Sequence, residues 1–91
     1  MMKKNNPLKQ IGITTEGKPV MGGLFAMADT HGIALSDSIM LCVERGWCPG
    51  LYDYIDSAMR SGWSRQKAVN RVVVACRDAG FPVSQVVGQV S

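Results

Sequence analysis

The sequence lacks any long apolar run. Its longest apolar runs, such as residues 72–76, contain five residues, whereas a helix that spans a membrane needs about 18 or more. The lysines near the first methionine are not followed by an apolar stretch, as they would be in a secretory signal peptide. We therefore expect a cytoplasmic protein with no membrane partner.

Residues that commonly bind metals or perform catalysis are also scarce. The chain has one histidine and three cysteines, an odd number that suits reduced thiols. Cys42 and Cys48 are farther apart than the paired ligands of a structural zinc site. No Gly-x-Ser-x-Gly turn or glycine-rich phosphate loop accompanies His31 or the thiols. We predict that the protein is not an enzyme and needs neither a metal nor a cofactor.

The composition is nevertheless that of a folded chain. Apolar residues make up 46% of the 91 residues and charged residues only 19%, which is enough apolar surface for one modest core. The net charge of +3 is unevenly distributed. Residues 1–18 and 60–91 are mainly basic, whereas residues 19–59 carry one arginine against five acidic residues. Two basic ends thus flank an acidic middle.

The chain divides into two parts by composition. The polar, lysine-rich start predicts a flexible basic arm, although weak alternation on both sides of Gly17 is also compatible with a short hairpin. We therefore expect residues 1–18 to form an arm or hairpin and residues 19–91 to form a single helical domain.

Apolar spacing predicts helices throughout that domain. The first is predicted over residues 20–31. The second is predicted to start at a Ser36 cap and to end before Gly46. Because residues 39–43 are all apolar, this helix is predicted to lie buried in the centre of the core.

Three further helices are predicted. Pro49 suits the first turn of a third helix that runs to about Ser61. Ser64 is predicted to cap a fourth helix that Gly80 ends. Valines at helical spacing indicate a last, weak helix over residues 83–90. The predicted fold class is therefore all-α, a small bundle of four to five short helices.

Residues 51–79 are the strongest functional candidate. Two helices joined by a short corner that contains glycine are the outline of a helix-turn-helix, whose second helix reads DNA. The segment resembles that family at its small residue, its turn glycine and two apolar packing positions, which are Ala58, Gly62, Trp63 and Ala68. Arg71 departs from the pattern, because the family has a buried aliphatic residue there and this chain has Val72 one residue later. The resemblance implies that the fourth helix contacts DNA.

The polar face of the fourth helix has suitable chemistry for that role. Arginine and lysine pair with phosphates or guanine, and asparagine and glutamine can bond adenine. The predicted nucleic-acid-binding residues are Arg65, Gln66, Lys67, Asn70, Arg71 and Arg77. We expect a small regulatory protein, of the kind found in bacteria, plasmids or phages, that binds DNA.

A second interpretation stays open at this stage. The chain has large side chains that commonly anchor protein interfaces, and the predicted interface residues are Val74, Tyr52 and Trp63. Together with the basic face they would make an adaptor or inhibitor that binds another protein. A homodimer is one way to cover them.

Overall fold

The fold is α+β, so the all-α prediction is wrong. The structure, a computed structural model, describes residues 7–82. Within this part of the chain, helices pack beside one mixed sheet of strand order β1-β2-β3. The elements are β1 (Lys9–Ile13), β2 (Pro19–Gly22), α1 (Leu24–Asp29), α2 (Leu35–Glu44), β3 (Cys48–Pro49), α3 (Leu51–Arg60) and α4 (Arg65–Ala79).

The short strand β3 explains two wrong boundaries. Val20 and Met21, predicted to begin the first helix, pair in parallel with Cys48 and Pro49. Helix α1 therefore starts only at Leu24. Pro49, predicted to open the third helix, ends β3 instead, and α3 begins at Leu51. These pairs join residues far apart in the chain, and apolar spacing reports only local periodicity.

An antiparallel hairpin precedes the helices. Strands β1 and β2 pair on either side of a turn at Gly17, whose φ of 87° suits glycine. The Thr14 N–H donates to the Lys18 carbonyl at 2.8 Å. The hairpin that the sequence allowed is therefore present, and it continues beyond the expected boundary at residue 18. Residues 1–6 of the expected arm lie outside the described residues.

The core lies where α1, α2, α3 and α4 meet. Tyr54, at its centre, is 1% exposed and makes edge-to-face contacts with Phe25 and Trp63, a favourable geometry for aromatic pairs. The side chains with no exposed surface are Leu24, Ile39, Cys42, Leu51, Ala58, Ala68, Val72 and Cys76. The core thus fixes α4 against the rest of the domain through one face only.

The prediction that the second helix is buried on all sides is wrong. Met40 and Val43 are 44% and 50% exposed, whereas Ile39 and Cys42 face the core. Ser36 is also not the cap, because α2 already begins at Leu35. A domain this small has too few elements to surround a helix, so one side of α2 meets solvent.

Ser38 on α2 provides a stability prediction. Ser38 is 1% exposed, and its hydroxyl has no hydrogen-bond partner among residues 7–82. A buried unpaired polar group costs about 1–3 kcal/mol. Ser38→Ala is therefore expected to raise the free energy of unfolding by about 1 kcal/mol, measured by urea denaturation.

The control is Ser36→Ala on the same helix. Ser36 is partly exposed, so this variant should gain no more than about 0.5 kcal/mol from helix propensity. An equal gain for both variants would contradict the prediction.

The helix predicted over residues 83–90 lies outside the described residues. Between residues 7 and 82, none of the helices combines the length and apolar character needed to cross a bilayer.

Candidate nucleic-acid interface

Helices α3 and α4 are joined by a tight corner at residues 61–64. Gly62 has a φ of 101°, which is unfavourable for residues with a Cβ. The next residue, Trp63, donates its N–H to the Ala58 carbonyl at 3.0 Å. The Ser64 hydroxyl accepts the Lys67 N–H at 3.1 Å, which confirms the predicted cap. The predicted stop at Gly80 is also confirmed, since its φ is 73° and α4 ends at Ala79.

The buried face of α4 settles the register within the resembling segment. Ala68, Val72 and Cys76 are spaced four residues apart along one side of α4 and have no exposed surface. Arg71 is exposed. Val72 thus lies in the core, and the arginine that departs from the helix-turn-helix pattern is placed on the surface.

All six residues predicted to bind nucleic acid are exposed on α4. Four of them, Gln66, Lys67, Asn70 and Arg71, line one open groove of about 410 Å³ together with Ser64 and Val74. Arg65 and Arg77 do not line it. We call this surface the basic groove.

Trp63 organises the two cations of the basic groove. The Lys67 Nζ lies 4.3 Å from the centroid of the Trp63 ring, and the Arg71 Cζ lies 5.3 Å from it. The ring is half-buried and packs edge-to-face against Phe25 at 5.5 Å. Cation–π contacts of this kind restrict long basic side chains. Trp63, predicted as an interface residue, therefore lies against the side chains of both Lys67 and Arg71.

The positive charge of the groove is not neutralised by ion pairs in the described part of the chain. The salt bridge present among residues 7–82 joins Arg60 to Asp56, away from the groove. Lys67 and Arg71 are both free of carboxylate partners there. Two neighbouring unpaired cations produce a local positive potential that attracts anions.

A second cleft adjoins the basic groove. It has a volume of about 310 Å³ and lies between α4 and the segment before α2. It shares Arg71 and Val74 with the basic groove. Its other lining residues are Ala28, Gly32, Ile33, Ala34, Leu35, Ser36, Tyr54, Ala75 and Asp78. We call it the side cleft.

Tyr54 gives the side cleft a polar group. Burial raises the pKa of its hydroxyl above the ordinary value, and the positive charge of Arg71 acts in the opposite direction. Sequence reasoning missed the cleft, because no local pattern connects residues 32–36 with α4.

The remaining predicted interface residues are separated. Val74 is 52% exposed and lies where the basic groove and the side cleft meet. Tyr52 is exposed on α3 but lines neither of them. The structure therefore joins Val74, but not Tyr52, to the basic residues.

The cysteines are placed as packing residues. Cys42 and Cys76 are buried and Cys48 is partly buried. Burial raises the pKa of the Cys42 thiol to about 11 and also raises the pKa of Cys48 and of Cys76. Thiols of this kind are largely protonated at neutral pH and are poor nucleophiles. In the described part of the chain, no three His, Cys, Asp or Glu side chains lie close enough together to hold a metal ion.

Comparison of the chain with protein-family models, curated proteins and solved structures finds no significant match.

Proposed function

We propose that this chain is a small, non-catalytic regulatory protein that binds nucleic acid through the exposed face of α4. The observation that most supports nucleic-acid binding is the pair Lys67 and Arg71. Both make cation–π contacts with Trp63, and neither has a carboxylate partner in the described residues. A cytoplasmic location belongs to the same proposal.

The proposed contacts follow from the chemistry of the groove. Lys67 and Arg71 bind backbone phosphates, and each neutralised phosphate releases counterions, so affinity falls as salt rises. Gln66 and Asn70 line the same groove and have side-chain amides that can pair with base edges. Arg65 and Arg77, outside the groove, add long-range attraction.

The test is charge reversal in the basic groove. Lys67→Glu with Arg71→Glu is expected to weaken binding to random-sequence duplex DNA by at least about 100-fold at about 50 mM salt, since phosphate contacts dominate affinity. Binding is measured by fluorescence anisotropy. The unaltered protein should bind in the micromolar range and lose most of that affinity at about 200 mM salt.

A matched control separates this surface from net charge. Lys18→Glu with Arg45→Glu changes the net charge by the same amount at two exposed positions outside the groove. The control variant should retain most of the affinity. Equal losses in the two double variants, with circular dichroism unchanged, would contradict a specific role for the α4 face.

A protein partner is the second candidate. It is favoured by Val74, an apolar side chain that is 52% exposed in the middle of the basic face. Monomeric surfaces do carry single exposed valines, so this observation supports the proposal less than the charges support nucleic acid. Such a partner, including a second copy of the chain, would compete for Lys67 and Arg71.

A further inference from the structure

We infer that the α4 surface accepts an unpaired nucleotide, with its phosphate on Lys67 and Arg71 and its base in the side cleft. This inference rests on the proposed function and makes it more specific, because it names the form of nucleic acid that is bound. The same chemistry is present in a single strand and in a free mononucleotide.

The basic groove and the side cleft form one continuous surface. The basic groove and the side cleft share Arg71 and Val74, which lie one helical turn apart on α4. A ligand that fills both must carry an anionic group directly beside a group that enters a cleft. A nucleotide has this arrangement, since its phosphate and its base are attached to one sugar.

The side cleft presents both apolar and polar side chains. Its walls are largely aliphatic, with Ile33 and Val74 on opposite elements, and Tyr54, Ser36 and Asp78 add polar groups. Tyr54 lines the cleft although the residue is only 1% exposed. An aliphatic side chain from a protein partner would leave these groups unpaired, which is unfavourable. A nucleobase has apolar faces and polar edges and can satisfy both.

Access of a base to the side cleft depends on the form of the nucleic acid. Bases in a duplex are stacked and present only their edges in the grooves. The side cleft can therefore receive a base only after that base has left the stacked duplex, as in single strands, loops and flipped nucleotides. Duplex DNA would contact Lys67 and Arg71 but leave the side cleft empty.

The experiment compares single-stranded and duplex DNA. The probes are a fluorescein-labelled thymidine strand of about 12 nucleotides and the same strand annealed to its complement, a length within the range of known single-strand sites. Anisotropy at about 50 mM salt should show about tenfold tighter binding of the single strand. Competition with unlabelled thymidine monophosphate then distinguishes the sources. Displacement shows that a free nucleotide suffices, whereas its failure shows that a strand is needed.

Two variants test the cleft itself. Ala34→Phe adds a ring at an exposed position that lines the side cleft, and it should reduce single-strand affinity about tenfold without changing duplex affinity. Tyr54→Phe removes only the hydroxyl and should cost about threefold or more. The control Thr30→Phe adds the same ring at an exposed position that does not line the cleft, and it should change neither affinity.

The outcomes separate the two proposals. Equal or tighter binding of the duplex, unaffected by Ala34→Phe and Tyr54→Phe, would overturn the side-cleft inference and leave nucleic-acid binding by the α4 face in place. Failure of both probes to bind would overturn both and favour a protein partner. Thermal denaturation of each variant shows whether a loss of binding reflects the site or unfolding.

Discussion

Gly50→Ala is expected to lower the free energy of unfolding by about 3 kcal/mol, a cost at the upper end of those for overpacked sites. A Cβ at Gly50 would lie 2.5 Å from the Met21 carbonyl oxygen and 3.3 Å from the Ile11 Cδ1. The Gly50 N–H donates to that same carbonyl at 2.8 Å, so the two backbones cannot separate without losing this hydrogen bond. The parallel pairing of β2 with β3 would be strained as well.

The matched control is Gly12→Ala on β1. Its Cβ would lie 4.0 Å from the Val20 Cβ, an ordinary van der Waals distance, and its φ is not positive. Reduced entropy of the unfolded chain should make this change neutral or stabilising by up to about 1 kcal/mol. In thermal denaturation, Gly50→Ala should lower Tm by roughly 10–25 °C. A Tm for Gly50→Ala close to that of the control would show that this close backbone approach does not exist.

Ile39→Ala on α2 is expected to destabilise the protein by about 2–5 kcal/mol. Ile39 has no exposed surface and belongs to the core cluster. Its truncation removes apolar burial and leaves a cavity beside neighbouring core side chains that refill it only partly. The measurement is urea denaturation followed by circular dichroism.

The control for that variant is the next residue in the sequence. Met40 is 44% exposed, so Met40→Ala should change the free energy of unfolding by no more than about 0.5 kcal/mol. The pair tests the orientation of α2, because a helix buried on all sides would make both truncations costly. A loss of 2 kcal/mol or more for Met40→Ala would contradict the exposed side of α2.

The elements that sequence reasoning predicted well are those with local causes. The start of α4 depends on a hydrogen bond between Ser64 and Lys67, three residues apart, and its end depends on the left-handed conformation of Gly80. The hairpin depends on a turn within five residues, Thr14 to Lys18. Cap and turn chemistry of this kind can be read from a short window.

The errors have non-local causes. Val20 and Met21 fit a helical pattern, but pairing with Cys48 and Pro49 places them in a strand. The run 39–43 is apolar on all sides, yet only one side of α2 has neighbours to pack against. Propensity and periodicity are overridden when a distant segment supplies the hydrogen bonds or the buried surface.

By itself, the sequence determined where α4 starts and stops and which of its side chains carry positive charge, because these depend on caps, turns and composition. Only the tertiary structure decided that Val20 and Met21 pair with Cys48 and Pro49 in a sheet, and that residues 32–36 form a cleft with α4. The physical reason is that burial and side-chain contact are properties of packed pairs of elements, and the partners in these pairs lie far apart along the chain.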